Sequence, residues 1–174
     1  MSLKIAILAS GSGTNAQVIF EAVRQKKLGA EICIVLSNRP DAKVLERAEN
    51  FGLPHCAVDH TLFSSREEYD EKVVEIIKEH GADCVVLAGY MRMVTPFFLA
   101  SFPERVINIH PAILPSFPGV HGARDAVRYG VKFSGCTVHF VSEEMDAGPV
   151  IIQAVTPCLQ DDSEQTLQNR IHCL

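Results

Sequence analysis

Apolar, β-branched runs alternate along this chain with segments of helical periodicity. The runs predict strands at residues 4–9, 31–37, 55–58, 84–88, 106–109, 136–141 and 150–155. Helices are predicted at 15–26, 42–51, 65–80, 96–102 and 123–129. The helix at 65–80 is the most explicit. Ser65-Arg66-Glu67-Glu68 has the form of a capping box, and Glu68 and Lys72 are spaced for an i,i+4 pair. Tyr69, Val73, Ile76, Ile77 and His80 share one face, and "HGAD" stops the helix. A last helix opens at Asp162-Ser163-Glu164 and runs through Leu167 and Ile171, so the sequence is expected to stop in mid-helix at Leu174. A C-terminal truncation is read from that.

Strand–helix alternation over the first hundred residues implies right-handed βαβ units. The expected fold is α/β: a single domain over residues 1–174, with a mainly parallel twisted sheet and helices on both faces, Rossmann-like. The strands read as continuous hydrophobic runs, as strands buried on both faces do. Ligands of such sheets bind at the carboxyl ends of the strands, here the loops after Ala9, Ser37, Ala88 and Ile109.

Composition narrows the function. At 174 residues, with 47% apolar and 21% charged residues, the chain has the make-up of an ordinary globular domain. No apolar run approaches the roughly 20 residues that span a bilayer, and the N-terminus does not read as a signal peptide. The net charge is −5 and no Lys/Arg block exceeds two residues, which argues against nucleic acid but not against a small anion. Six cysteines lack any C-x-x-C pairing, so they read as reduced, buried thiols of a cytoplasmic protein without a metal site.

Gly11-Ser12-Gly13-Thr14-Asn15-Ala16 follows the first strand and satisfies G-x-G-x-x-A, a turn whose backbone N–H groups converge on an anion at a helix N-terminus. A plain tight turn is the bland alternative. A dinucleotide site also wants an acid after the second strand, where the chain reads Ser37-Asn38-Arg39-Pro40; Arg39 suits a 2′-phosphate instead. The loop alone leaves phosphate and NADP readings open.

The second half carries the chemistry. Asn108 and His110 alternate to one side at the end of a buried strand, a pair able to polarise a carbonyl. The prolines at 111, 115 and 118 make a stiff loop beyond them. Asp146 precedes Gly148-Pro149 at a turn between strands; beside His110 its carboxylate would provide a proton route. Asp-x-Gly turns are more often structural, and His139 is by default a hydrogen-bonded core histidine.

"GSGTN", "LAGYMRMV", "NIHPAILPSFPG" and "VHFVSEEMDAGPVI" stand in the order and spacing of the glycinamide ribonucleotide branch of the folate-dependent formyltransferases, which the chain resembles from its first strand to its last helix. The resemblance implies direct formyl transfer from 10-formyltetrahydrofolate to the glycinamide amine in de novo purine synthesis, without a metal. Asn108 and His110 would hold the oxyanion, and Asp146 with an ordered water would move the proton. Thr137 and His139 would support Asp146 and its surroundings. Gly13, Thr14 and Asn15 would cradle the ribonucleotide phosphate. Met91, Arg92, Met93 and Val94 would meet the pterin through their backbone, though by pattern alone this segment reads as core packing. Arg66 would reach the folate, which Asn108 also touches, and Ser142, Glu143, Glu144, Met145 and Asp146 would border its pocket. His172 and Cys173 fall at the start of a substrate-contacting segment whose glutamate lies beyond Leu174. Ala112 and Ile113 depart from the usual Ser-Leu of the family.

The implied partners are small molecules, with no nucleic acid and no membrane, and the protein acts as a monomer or homodimer in the cytoplasm. Three readings compete. A formyltetrahydrofolate hydrolase carries an extra domain in front, for which strand one leaves no room. A methionyl-tRNA formyltransferase adds a C-terminal barrel and binds RNA. A non-catalytic NADP module would use Gly11, Gly13 and Arg39 and has no need of Asn108, His110 and Asp146 together.

Overall fold

The structure, a computed structural model, describes residues 2–174. Seven strands and six α-helices occur among them. By internal packing the chain divides into two compact units, Met1–Ile107 and Asn108–Leu174.

The first unit runs β1 (Leu3–Leu8), α1 (Thr14–Arg24), β2 (Ala30–Ser37), α2 (Lys43–Asn50), β3 (His55–Ala57), α3 (Arg66–Glu79), β4 (Cys84–Leu87) and α4 (Pro96–Ser101). Its strands lie in the order β3-β2-β1-β4, with the first residues of β5 (Val106–His110) next. The pairings of β1 with β2, β1 with β4 and β2 with β3 are all parallel. Ile5 through Ala9 are 4% exposed or less, so both faces of β1 are covered, as its unbroken apolar run requires. On one side Ile5, Ile7 and Val35 pack with Phe20 of α1 and Val44 and Ala48 of α2.

In the second unit the end of β5 is followed in the sheet by β6 (Phe133–Phe140) and β7 (Val150–Pro157), which pair antiparallel. Here α5 (Gly122–Tyr129) and α6 (Glu164–Ile171) form a small core from Ala123, Ala126, Leu167 and Ile171, with Phe117 packed against it. The architecture is the mainly parallel α/β fold that the alternation predicts.

Several local expectations change. α3 buries Tyr69, Asp70, Val73, Val74 and Ile77, while His80 is exposed. Ser65 caps Glu68 N–H, but the Glu68 carboxylate reaches back one residue too far for a box and bonds the N–H and hydroxyl of Ser64. Lys72 pairs with Glu75 at 2.7 Å instead of Glu68, because i,i+3 neighbours share a helix face as closely as i,i+4 ones. The reciprocal box is at Ser163 and Thr166. α6 ends at Ile171, three residues before Leu174, so the predicted mid-helix stop is not seen. β7, expected to be buried, exposes Ile151, Ile152 and Val155. Only Cys33 and Cys84 are fully buried, and Cys173 is exposed.

Candidate active site

Asn108 and His110 project together from β5, and two further side chains join them. His139 stands beside the register shift between Val138 and His139, where Ile151 of β7 is left without a partner. Asp146 holds a left-handed backbone with φ 52°, which costs a non-glycine residue about 1–3 kcal/mol and recurs at functional sites. Gly148 closes the same turn without a side chain because a Cβ there would run into the Phe140 carbonyl.

Hydrogen bonding assigns the protons. His139 Nδ1 lies 2.9 Å from the Phe140 carbonyl oxygen and therefore carries hydrogen. Its Nε2 accepts from Asn108 Nδ2 at 3.1 Å, which orients the amide and leaves its second N–H unused. His110 Nε2 donates to the Phe117 carbonyl at 2.9 Å, which turns Nδ1 toward Asp146 Oδ2 at 3.4 Å. An unprotonated nitrogen and a carboxylate repel at that distance; the contact is attractive only with a proton between them. Gly119 N–H donates to the same oxygen at 2.8 Å, and Asp146 Oδ1 is 3.7 Å from His139 Nε2. The side chains of His110, His139 and Asp146 are 4%, 2% and 11% exposed, so water screens these charges little.

Thr137 is buried, but it donates to the Ala112 carbonyl at 2.7 Å and accepts from Leu114 N–H at 3.0 Å. It thus holds the loop after His110 rather than touching Asp146. In the turn before Asp146, the Ser142 hydroxyl donates to the Glu144 carbonyl, and Glu143, Glu144 and Met145 are exposed. His172 and Cys173 are exposed past the end of α6.

In the first unit, Gly13 caps α1 with φ 70° and approaches α2 so closely that a Cβ would lie 2.6 Å from Val44 Cβ. No side chain caps α1. The first-turn N–H groups of Thr14, Asn15 and Ala16 thus have no partner within the helix and lie at its positive end. α2 shapes the loop further through Arg47 Nε, which donates to the Ser12 carbonyl at 2.6 Å. At the end of β2 the side chain of Asn38 is buried, and Arg39 is paired with Asp41 at 3.4 Å.

Met91 and Met93 are 67% and 37% exposed while Val94 is buried, so core packing accounts for only part of this segment. Tyr90 is buried with its hydroxyl 2.9 Å from that of Tyr69. Burial pushes the Tyr69 phenol up to about 12 and raises Tyr90 as well, so both stay neutral. The Arg92 guanidinium lies 4.6 Å over the Tyr69 ring, and its buried Nε has no hydrogen-bond partner. Arg66 is half exposed and 3.9 Å from Glu67.

Residues 3–174 match the formyl transferase family. The chain belongs to that family. This formyl transferase is 40% identical over 169 residues to the phosphoribosylglycinamide formyltransferase of Escherichia coli strain K12, covering 97% of this chain and 80% of that one. It is 42% identical over 171 residues to the trifunctional purine biosynthetic protein adenosine-3 of Drosophila melanogaster, where it spans 97% of its own length and only 13% of the relative's. The crystal structure of glycinamide ribonucleotide transformylase 1 from Symbiobacterium toebii matches 99% of this chain and 81% of that chain, at 42% identity and a TM-score of 0.97. Among the described residues no helix is long and apolar enough to cross a membrane.

Two backbone groups that hold this cluster carry little sequence signal. The Phe117 carbonyl and Gly119 N–H, which hold His110 and Asp146, are backbone atoms present at every position. Only the left-handed backbone at both residues, φ 55° and 92°, makes them special, and Gly119 alone hints at it in the sequence.

Proposed function

We propose that this formyl transferase carries the formyl group of 10-formyltetrahydrofolate to the amine of glycinamide ribonucleotide, in the cytoplasm, as a step of de novo purine synthesis. The reading rests on one observation above all: Asp146, distant in sequence from Asn108 and His110, meets them in a largely buried group through His110 and His139, within a chain so similar to named formyltransferases.

The amine attacks the formyl carbon, a C–N bond forms and the carbonyl becomes an oxyanion. The second N–H of Asn108, oriented by His139, donates to that oxygen. His110 Nδ1 faces Asp146 Oδ2 across a long contact of 3.4 Å, so a hydrogen carried there would be free to turn to the developing oxyanion and stabilise it. Asp146 takes the proton lost by the amine, directly or through one water, and returns it to the folate nitrogen as the C–N bond to the folate breaks. The uncapped start of α1 with Gly13, Thr14 and Asn15 binds the ribonucleotide phosphate. The backbone of Met91–Val94 meets the pterin, with Arg66 and the 142–146 turn at its margins.

An absorbance assay of 10-formyl folate with and without glycinamide ribonucleotide tests the reading. Consumption that depends on the amine is expected. Consumption without it would make the protein a hydrolase, and none under either condition would leave only a binding module.

A further inference from the structure

The segment 90–95 is held at both ends by buried side chains. At one end the Met91 N–H donates to the Ser10 hydroxyl at 2.8 Å. That hydroxyl passes its own hydrogen to Asn38 Oδ1 at 2.6 Å, which aims its lone pair at Met91. At the other end the Thr95 N–H donates to Asp70 Oδ2 at 2.7 Å. Ser10 is 5% exposed, Asp70 1% and Thr95 0%, so none of these bonds is exchanged for water at little cost. Within the first unit, no hydrogen bond is made by the backbone N–H of Arg92, Met93 or Val94. The stretch is pinned at its ends and open in its middle.

We propose that Ser10 and Asp70 are positioning residues for the formyl donor, fixing residues 91–94 so that their backbone groups are presented to the folate ring. The inference rests on the function proposed above. Losing either acceptor leaves a buried N–H unpaired, and the segment must move to satisfy it. Neither the Ser10 hydroxyl nor the Asp70 carboxylate hydrogen-bonds Thr14 or Asn15, so the effect is expected on the folate side. Asp70 acts through an oxygen that accepts a hydrogen bond, and an asparagine amide supplies the same oxygen.

Steady-state kinetics and direct folate binding on S10A, D70A and D70N, each with its melting temperature, test this. S10A and D70A should raise the KM for 10-formyl folate about tenfold, the loss of one buried hydrogen bond. The KM for glycinamide ribonucleotide should stay within twofold, and D70N should restore folate binding. Where D70A fails to fold, S10A and D70N still decide. Unchanged folate KM in S10A, or equal loss of both substrates together with a lowered melting temperature, would overturn the positioning role while the wild type remains active. A wild type that neither binds nor consumes formyl folate would overturn both this role and the function on which it rests.

Discussion

His110 and Asp146 share one loop as their anchor: the Phe117 carbonyl fixes His110 at 2.9 Å and the Gly119 N–H fixes Asp146 at 2.8 Å, leaving Nδ1 and Oδ2 facing each other at 3.4 Å. The pair is therefore set by three residues of backbone rather than by its own attraction. Removing one partner should leave the other in place, which makes single substitutions informative.

H110A and D146N should each lower kcat by a factor of about 10² to 10⁴ with the melting temperature little changed. Turnover at the wild-type level in either variant would remove that residue from the chemistry.

His139 touches Asn108 and Asp146 from a position no substrate needs to reach. H139A should free the Asn108 amide to rotate and reduce kcat about tenfold or more with little change in either KM. N108A should lose at least as much, and the double variant should lose little beyond it, since the two act as one unit. Additive losses would separate them.

The two loop glycines differ in what surrounds them. A methyl at Gly13 collides with Val44 and requires a left-handed backbone, so G13A should cost about 2 kcal/mol or more in urea unfolding. Gly11 has open space where its Cβ would stand, so G11A should fold normally and show its effect as a raised ribonucleotide KM. Equal stability of the two variants would contradict the packing described.

Two aspartates should pull acid stability in opposite directions. The Arg170 hydrogen bonds hold the Asp162 carboxyl well below its ordinary 3.8, so its stabilisation is present above that value and fades as pH falls through the lower, folded one. Burial pushes the Asp70 carboxyl up, so the folded state holds its proton longer than the unfolded chain, and stability falls as pH rises from 3.8 through the raised value. In unfolding curves against pH, D162N should flatten the acid limb, and D70N should remove part of the loss on the way up. Identical pH profiles for wild type and D162N would show the Arg170 pair to be without weight.

The parallel strands were legible because a strand covered on both faces must be apolar at every position, as Ile5 to Ala9 are. Asn108 and His110 were legible as a pair because alternation is a local property of an extended chain. The Gly13 turn was legible as well, but a glycine serves close packing and an anion equally well, and Val44 supplies the first reason without any ligand. Thr137 was expected to support Asp146 and its surroundings; its bonds go to Ala112 and Leu114 in the loop after His110, which spacing along β6 does not reveal, because it says which side a residue faces but not what lies there.

By itself, then, the order of residues determined the strands and helices, the paired amide and imidazole on β5, and the glycine turn, all products of periodicity and backbone preference acting over a few neighbours. Only tertiary structure decided that Asp146 reaches His110, that His139 meets Asn108, and that Phe117 and Gly119 hold the group through their backbone. Those contacts join residues up to 36 positions apart, as His110 and Asp146 are, and the free energy that fixes them comes from packing and burial summed over the fold, which no short stretch of sequence carries.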